Sequence, residues 1–164
     1  MNRPLDRLDR RILATLQDDG RITIADLARR VNLSKTPCLA RVKRLERDGY
    51  IAGYVARLDG ARLGRGHVAF VQVALDRTAS DAFDRFHAGV RAIPEVQSCH
   101  MVAGGFDYLL KVRTADIDAY RRILGERINA LPGVSQTHTY VVMETVKDEM
   151  TVPVDLDGPG PNDS

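Results

Sequence analysis

No apolar run in the 164 residues reaches the roughly 18 needed to span a bilayer, which excludes a membrane-spanning helix. The opening Met-Asn-Arg-Pro-Leu-Asp-Arg is charged and lacks the apolar stretch of a secretory signal. Cysteine is scarce. Cys38 and Cys99 are the only two and form no CxxC, so neither a disulfide framework nor a redox pair is expected. A reducing, cytoplasmic compartment is the expectation. An excess of one charge is also missing, with 24 Lys and Arg against 22 Asp and Glu. The length suits one compact domain or two small ones and excludes a large multidomain enzyme.

Catalytic and metal patterns are missing too. Histidines 67, 87, 100 and 138 contain no i,i+4 pair, and a two-histidine site lacks a third ligand, so no metal is expected. No nucleophile has an activation context. Ser34 reads as a helix cap, Ser98 as a mid-strand residue and Cys38 as a small interior hydrophobe. Asp18-Asp19 and Asp148-Glu149 sit at element ends and read as solvated. Gly104-Gly105 lacks the six-position glycine pattern and precedes a strand, which argues against nucleotide binding. The chain reads as a non-enzyme without a cofactor.

The small net charge divides unevenly. Residues 1–59 carry 13 Lys and Arg against 8 Asp and Glu, and residues 60–164 carry 11 against 14. That asymmetry points to a basic N-terminal module. Leu5, Leu8, Ile12 and Leu16 recur at helical spacing and predict a helix over roughly 5–18, stopped at Asp19-Gly20. Thr23 caps a second helix bearing Ile24, Leu27, Ala28 and Val31. It ends at Asn32, a residue that tolerates the left-handed exit. Ser34 caps a third, with Pro37 in its first turn, Cys38, Val42 and Leu45 inward, and Gly49 as its stop. Two short helices about three residues apart form a helix-turn-helix. Residues 50–58 are β-prone and read as a wing or linker strand, and 59–66, with three glycines, as the hinge.

Beyond the hinge, strands over 67–76, 96–103, 107–113 and 134–146 alternate with helices over 80–92 and 116–131, giving β-α-β-β-α-β. Ala92-Ile93-Pro94-Glu95-Val96 is echoed 38 residues on by Ala130-Leu131-Pro132-Gly133-Val134. Two such units build a ferredoxin-like sandwich, so the fold class is α+β. Apolar residues on both faces of the sheet call for a second copy to cover the outer face. The organisation expected is 1–50 helix-turn-helix, 51–66 wing and hinge, 67–150 ferredoxin-like domain and 151–164 disordered tail.

The third helix holds Lys35, Arg41, Lys43, Arg44 and Arg47 against a single acid, Glu46. Thr36, Ala40, Lys43 and Arg47 fall on one outward stripe. Small residues near the start let the backbone approach base edges, and long basic ones further along reach phosphates. All seven (Lys35, Thr36, Ala40, Arg41, Lys43, Arg44 and Arg47) are candidate DNA contacts. Gly104-Gly105 with Asp107 and Tyr108 reads either as a plain hairpin turn or as a site for an effector's ammonium and body.

These residues carry a resemblance. Leu5-Asp6-Arg7-Leu8-Asp9, Gly20-Arg21-Ile22, Leu27-Ala28-Arg29-Arg30-Val31-Asn32-Leu33-Ser34, Thr36-Pro37-Cys38 and Arg41-Val42-Lys43-Arg44-Leu45-Glu46 resemble the Lrp/AsnC (feast/famine) transcription regulators. So do Phe106-Asp107-Tyr108-Leu109-Leu110-Lys111, Leu131-Pro132-Gly133-Val134 and Thr139-Tyr140-Val141-Val142-Met143-Glu144. The match covers about 3–150 and is strongest to the leucine-responsive branch. It implies a winged helix-turn-helix joined to an amino-acid-sensing sandwich that dimerises through its sheet and assembles into tetramers or octamers on roughly palindromic double-stranded DNA. It implies a cytoplasmic, nucleoid-associated regulator of amino-acid metabolism. The effector is a small amino acid, leucine-like by preference, with proline or asparagine as alternatives. Carried over by position, the effector region includes Met101, Gly104, Asp107, Ile117, Tyr140, Val141 and Val142. Gly105 stands where the family often has an acid, and Lys35 where the leucine-responsive branch often has proline.

Overall fold

The computed structural model describes residues 4–76 and 82–156. The chain divides into two compact units, one made of residues up to Arg57 together with those from Asp148 onward, the other of Leu58–Lys147.

The first unit holds α1 (Arg7–Asp18), α2 (Ile24–Arg30) and α3 (Lys35–Arg47). Asp6 opens α1 with a capping box. Its carboxylate accepts from the Asp9 amide at 2.9 Å, and the Asp9 carboxylate accepts from the Asp6 amide at 3.1 Å. Thr23 caps α2 by accepting from the Asp26 amide at 3.1 Å. The turn between α2 and α3 passes through Asn32 at φ 56°, and Gly49 ends α3 at φ 78°, both in the left-handed region. Ser34 occupies the cap position of α3, but its hydroxyl makes no cap bond. The amide that such a hydroxyl commonly takes belongs to the third helical residue, here Pro37, which has no N–H. Ile12, Leu27, Ala28, Val31, Cys38, Val42 and Leu45 form the buried core of this unit.

The second unit is a four-stranded antiparallel sheet in the order β2-β3-β1-β4, with β1 His67–Leu75, β2 Val96–Met101, β3 Tyr108–Thr114 and β4 Val134–Val141. Helix α4 (Ala82–Arg91) lies between β1 and β2. Helix α5 (Ile117–Ile123), extended by a π-helical turn over Leu124–Ile128, lies between β3 and β4. This is the expected β-α-β-β-α-β sandwich. Ala69, Val71, Val73 and Leu75 of β1 and Tyr108, Leu110 and Val112 of β3 face Phe86, Val90, Tyr120 and Ile128 of the helices. Their alternation along each strand sends every second residue to the core.

The opposite face carries rows fixed by the strand register. His100, Leu109, Gln72 and His138 form one, and Ser98, Lys111, Phe70 and Tyr140 the next. It is a mixed face, with Phe70, Leu109 and Tyr140 set among polar residues.

Several boundaries differ from the sequence reading. Residues 51–59 form no strand. Instead Ile51 packs on the helical core, and the Tyr54 hydroxyl donates to Glu46 at 3.0 Å. The 51–66 linker divides at Arg57 and Leu58, and its second half belongs to the sheet unit. There Asp59 accepts from the Ala61 and Arg62 amides, and Arg113 donates to the Arg65 carbonyl. Strand β4 ends at Val141 rather than 146, and just past it the Val142 amide donates to the Val68 carbonyl of β1 at 2.9 Å. Residues 151–156, expected to be disordered, are held against α1 by backbone hydrogen bonds at Val152 and Asp155. The remainder of that tail, and Ser80 at the expected start of α4, lie outside the described residues.

Candidate nucleic-acid interface and ligand domain

Helix α3 has two populations of basic residues. Lys35, Thr36, Ala40, Lys43 and Arg47 are exposed, as the outward stripe requires. Arg47 is three-quarters exposed, its Nε 3.0 Å from the Asp48 carboxylate. Arg41 and Arg44, grouped with the DNA-facing residues from the sequence, are different: both are partly enclosed and paired with carboxylates of α1 and its cap. Arg41 Nη1 lies 2.6 Å from Asp6 and 2.7 Å from Asp9, and Arg44 Nη2 lies 2.5 Å from Asp9. The Asp9 side chain is fully enclosed, and Arg44 is only 17% exposed. The reason is positional: 41 and 44 flank the inward residues Val42 and Leu45, on the side that meets the first turn of α1.

This cluster has an electrostatic signature. Burial pushes the Asp6 carboxyl up, but the Arg41 hydrogen bond, the Asp9 amide and the Arg41 charge outweigh it, leaving Asp6 below its ordinary value. For Arg41, burial works against the charge and the bonds to Asp6 and Asp9 override it, raising its pKa. Burial, then the hydrogen bond to Glu46, pushes the Tyr54 phenol up to about 12. Burial also raises both thiols, Cys38 and Cys99, away from the reactive thiolate. Asp6 and Asp9 were not singled out from the sequence. Their Asp-x-x-Asp spacing before an apolar run is a capping-box signature that would have flagged them.

In the sheet unit the nine candidate effector residues do not form one site. Tyr108 lies in the core under α4, its ring 4.5 Å from Phe86 and its hydroxyl 2.7 Å from His87 Nε2. Asp107 is buried, and its carboxylate accepts from the Leu75 amide at 2.8 Å. The Asp107 amide donates to the Val73 carbonyl at 3.0 Å, so its backbone and its carboxylate both serve the edge of β1 that faces β3. Both side chains are thus engaged within the sheet unit.

The other seven fall into two groups. Met101, Gly104 and Gly105 are exposed at the β2–β3 turn, and a methyl added at either glycine would meet open space. Ile117, Tyr140 and Val141, also exposed, and the half-buried Val142 lie by the start of α5 and the end of β4. Met101 shares a row with Tyr108, Val73 and Thr137, whereas Val141 is opposite Ala69. Three strand spacings and four residues therefore separate the groups, about 20 Å. They stand at opposite edges and opposite ends of the sheet.

Among the described residues, no group of three or more His, Cys, Asp or Glu is placed to hold a metal, and no helix is long and apolar enough to cross a membrane.

A basic helix-turn-helix followed by a ligand-sized sandwich is the build of a DNA-binding transcription regulator. Comparison with known proteins agrees. Residues 5–52 match the winged helix-turn-helix DNA-binding family, and residues 68–152 match the Lrp/AsnC ligand binding domain. The chain is 54% identical over 144 residues to a proline dehydrogenase transcriptional activator of Rhizobium radiobacter, covering 88% of this chain and 92% of that one. It is also 54% identical over 143 residues to the leucine-responsive regulatory protein of Escherichia coli strain K12, covering 87% of each. Among solved structures it resembles a transcriptional regulator from Neisseria meningitidis in complex with L-methionine, at TM-score 0.89 and 36% identity, covering 93% of this chain and 98% of that one. The chain belongs to the Lrp/AsnC family of DNA-binding transcription regulators that respond to amino acids.

Proposed function

We propose that the outward stripe of α3 is the DNA-reading surface, with Thr36 and Ala40 against base edges and Lys35, Lys43 and Arg47 on phosphates. Arg41 and Arg44 hold that helix from behind. The division of the α3 arginines between solvent and the Asp6–Asp9 carboxylates carries this reading. Two copies joined through the open sheet face present two such helices to a roughly palindromic site. Higher assemblies, tetramer or octamer, gain affinity through effective concentration. The expected setting is the cytoplasm, on the nucleoid, and the role is regulatory rather than enzymatic.

The effector reading follows from the 20 Å separation. One copy cannot close Met101 and Gly104 on Tyr140 and Val141, but a second copy brings one group against the other. A small amino acid held between copies favours one assembly state, and only through such a preference does it change DNA affinity. The L-methionine bound to the Neisseria regulator and the leucine and proline in the relatives' names support a small amino acid of this kind. A leucine-like side chain suits the apolar Met101, Ile117 and Val141. A thermal-shift screen of the twenty amino acids tests it. The expected result is a raised melting point with leucine or a near neighbour, abolished by Tyr140→Ala. A flat screen across all twenty contradicts it. For DNA, gel shifts with Lys43→Ala and Arg47→Ala are expected to lose affinity for a duplex selected by the wild type, and unchanged affinity contradicts the assignment.

A further inference from the structure

The chain passes between its two units twice, at 57/58 and again at 147/148. The second passage leads into residues 148–156, an extended segment that closes on α1. Gln17 Nε2 donates to the Val152 carbonyl at 2.9 Å, and Gln17 Oε1 accepts from the Val152 amide at 2.7 Å. One side-chain amide thus satisfies both backbone groups of one residue, as a neighbouring strand does. Arg10, two turns earlier on the same helix face, donates to the Asp155 carbonyl at 3.1 Å. Val154, between the two contacts, is half-buried. At the root of the segment, Arg57 donates to the Asp148 carbonyl at 3.1 Å. These are the two residues that flank the unit boundary, so one hydrogen bond joins both passages.

We propose that residues 148–156 are a strap that makes the DNA-binding unit doubly tethered to the ligand domain, with Gln17 as its positioning residue. A unit on one flexible connection swivels about it. Two connections restrict that swivel more than one does, which narrows the spread of recognition-helix orientations before DNA arrives. All four contacts go to main-chain atoms of the strap. They depend on its path rather than its side chains. The inference rests on the reading of paired recognition helices, because only a paired site makes orientation count.

The test uses the full chain and a duplex selected from a random pool by the wild type. Its half-sites are then moved apart by up to five base pairs, half a helical turn. Exchange of the 148–156 amides is followed in parallel. Wild type is expected to lose about tenfold or more in affinity at the five-pair insertion, the orientational cost of facing opposite sides of the duplex. Gln17→Ala keeps the fold, since the position is exposed and alanine suits a helix. It is expected to expose the Val152 amide to exchange and to cut the spacing penalty to about threefold or less, with affinity for a single half-site unchanged. Gln17→Glu, which keeps only the acceptor, is expected to fall between. Faster Val152 exchange with a spacing profile identical to wild type overturns the positioning role. Unchanged exchange overturns the clip itself. A wild type indifferent to spacing overturns the paired reading and the strap's role with it.

Discussion

The helical unit buries a carboxylate that faces two arginines, whereas the sheet unit buries a carboxylate, Asp107, that accepts a backbone amide. The cores differ as well. Among the described residues, seven apolar residues are buried among the helices and twelve beneath the sheet. A core of seven leaves a small domain marginal, so directional contacts between α1 and α3 carry more of its definition. The sheet unit has a wide apolar layer and uses its buried carboxylate locally, on one backbone amide of β1. A helix rich in arginine for the sake of DNA can lend two of its cations to its own scaffold. A ligand domain with no such surplus relies on packing.

The largest effect expected is at the charge cluster. Asp9→Ala leaves Arg41 and Arg44 short of their enclosed partner and is expected to cost the helical unit about 3–5 kcal/mol. Calorimetry that resolves the two units should show the helical transition falling while the sheet transition stays. A loss shared equally by both would break the comparison. Leu110→Ala, at the centre of the sheet core, is expected to cost about 3 kcal/mol in the sheet unit alone, read the same way. Asn32→Ala forces a residue with a methyl side chain into the left-handed turn at φ 56° and is expected to cost about 1 kcal/mol in the helical unit. The smallest effect is acid sensitivity. Because the Asp6 carboxyl sits below its ordinary value, its contribution is complete above the usual carboxylate range, near 4. It drains as pH falls from there through the lowered value. Melting of the helical unit at pH 5 and pH 3 should differ more in wild type than in Asp6→Asn, and equal differences contradict the role given to Asp6.

Most of the fold was legible because it follows from local signals. Thr23 and Asn32 bound α2, Gly49 ends α3, and the Ala92–Val96 echo at Ala130–Val134 announces the repeated unit. What escaped depends on distant partners. The β-prone stretch after Gly49 forms no strand, because Tyr54 and Ile51 find α3 and the helical core instead of another strand. Asp107 looked available beside a glycine turn, yet the Leu75 amide of β1 takes its carboxylate, and no sequence periodicity shows a partner 32 residues away. Arg41 and Arg44 were indistinguishable from Lys43 and Arg47 by charge alone. Only the position of α1, with Asp9 pointing at them, separates the two kinds.

That separation is most directly tested by the salt dependence of DNA binding. Removing one cation from a phosphate is expected to flatten the slope of log affinity against log salt by about 0.9. Lys43→Ala and Arg47→Ala should each do so and leave the melting point of the helical unit near wild type. Arg44→Gln should lower that melting point and leave the slope unchanged. A flattened slope for Arg44→Gln, with stability intact, would place Arg44 on the phosphates and contradict the division of α3 into a reading face and a holding face.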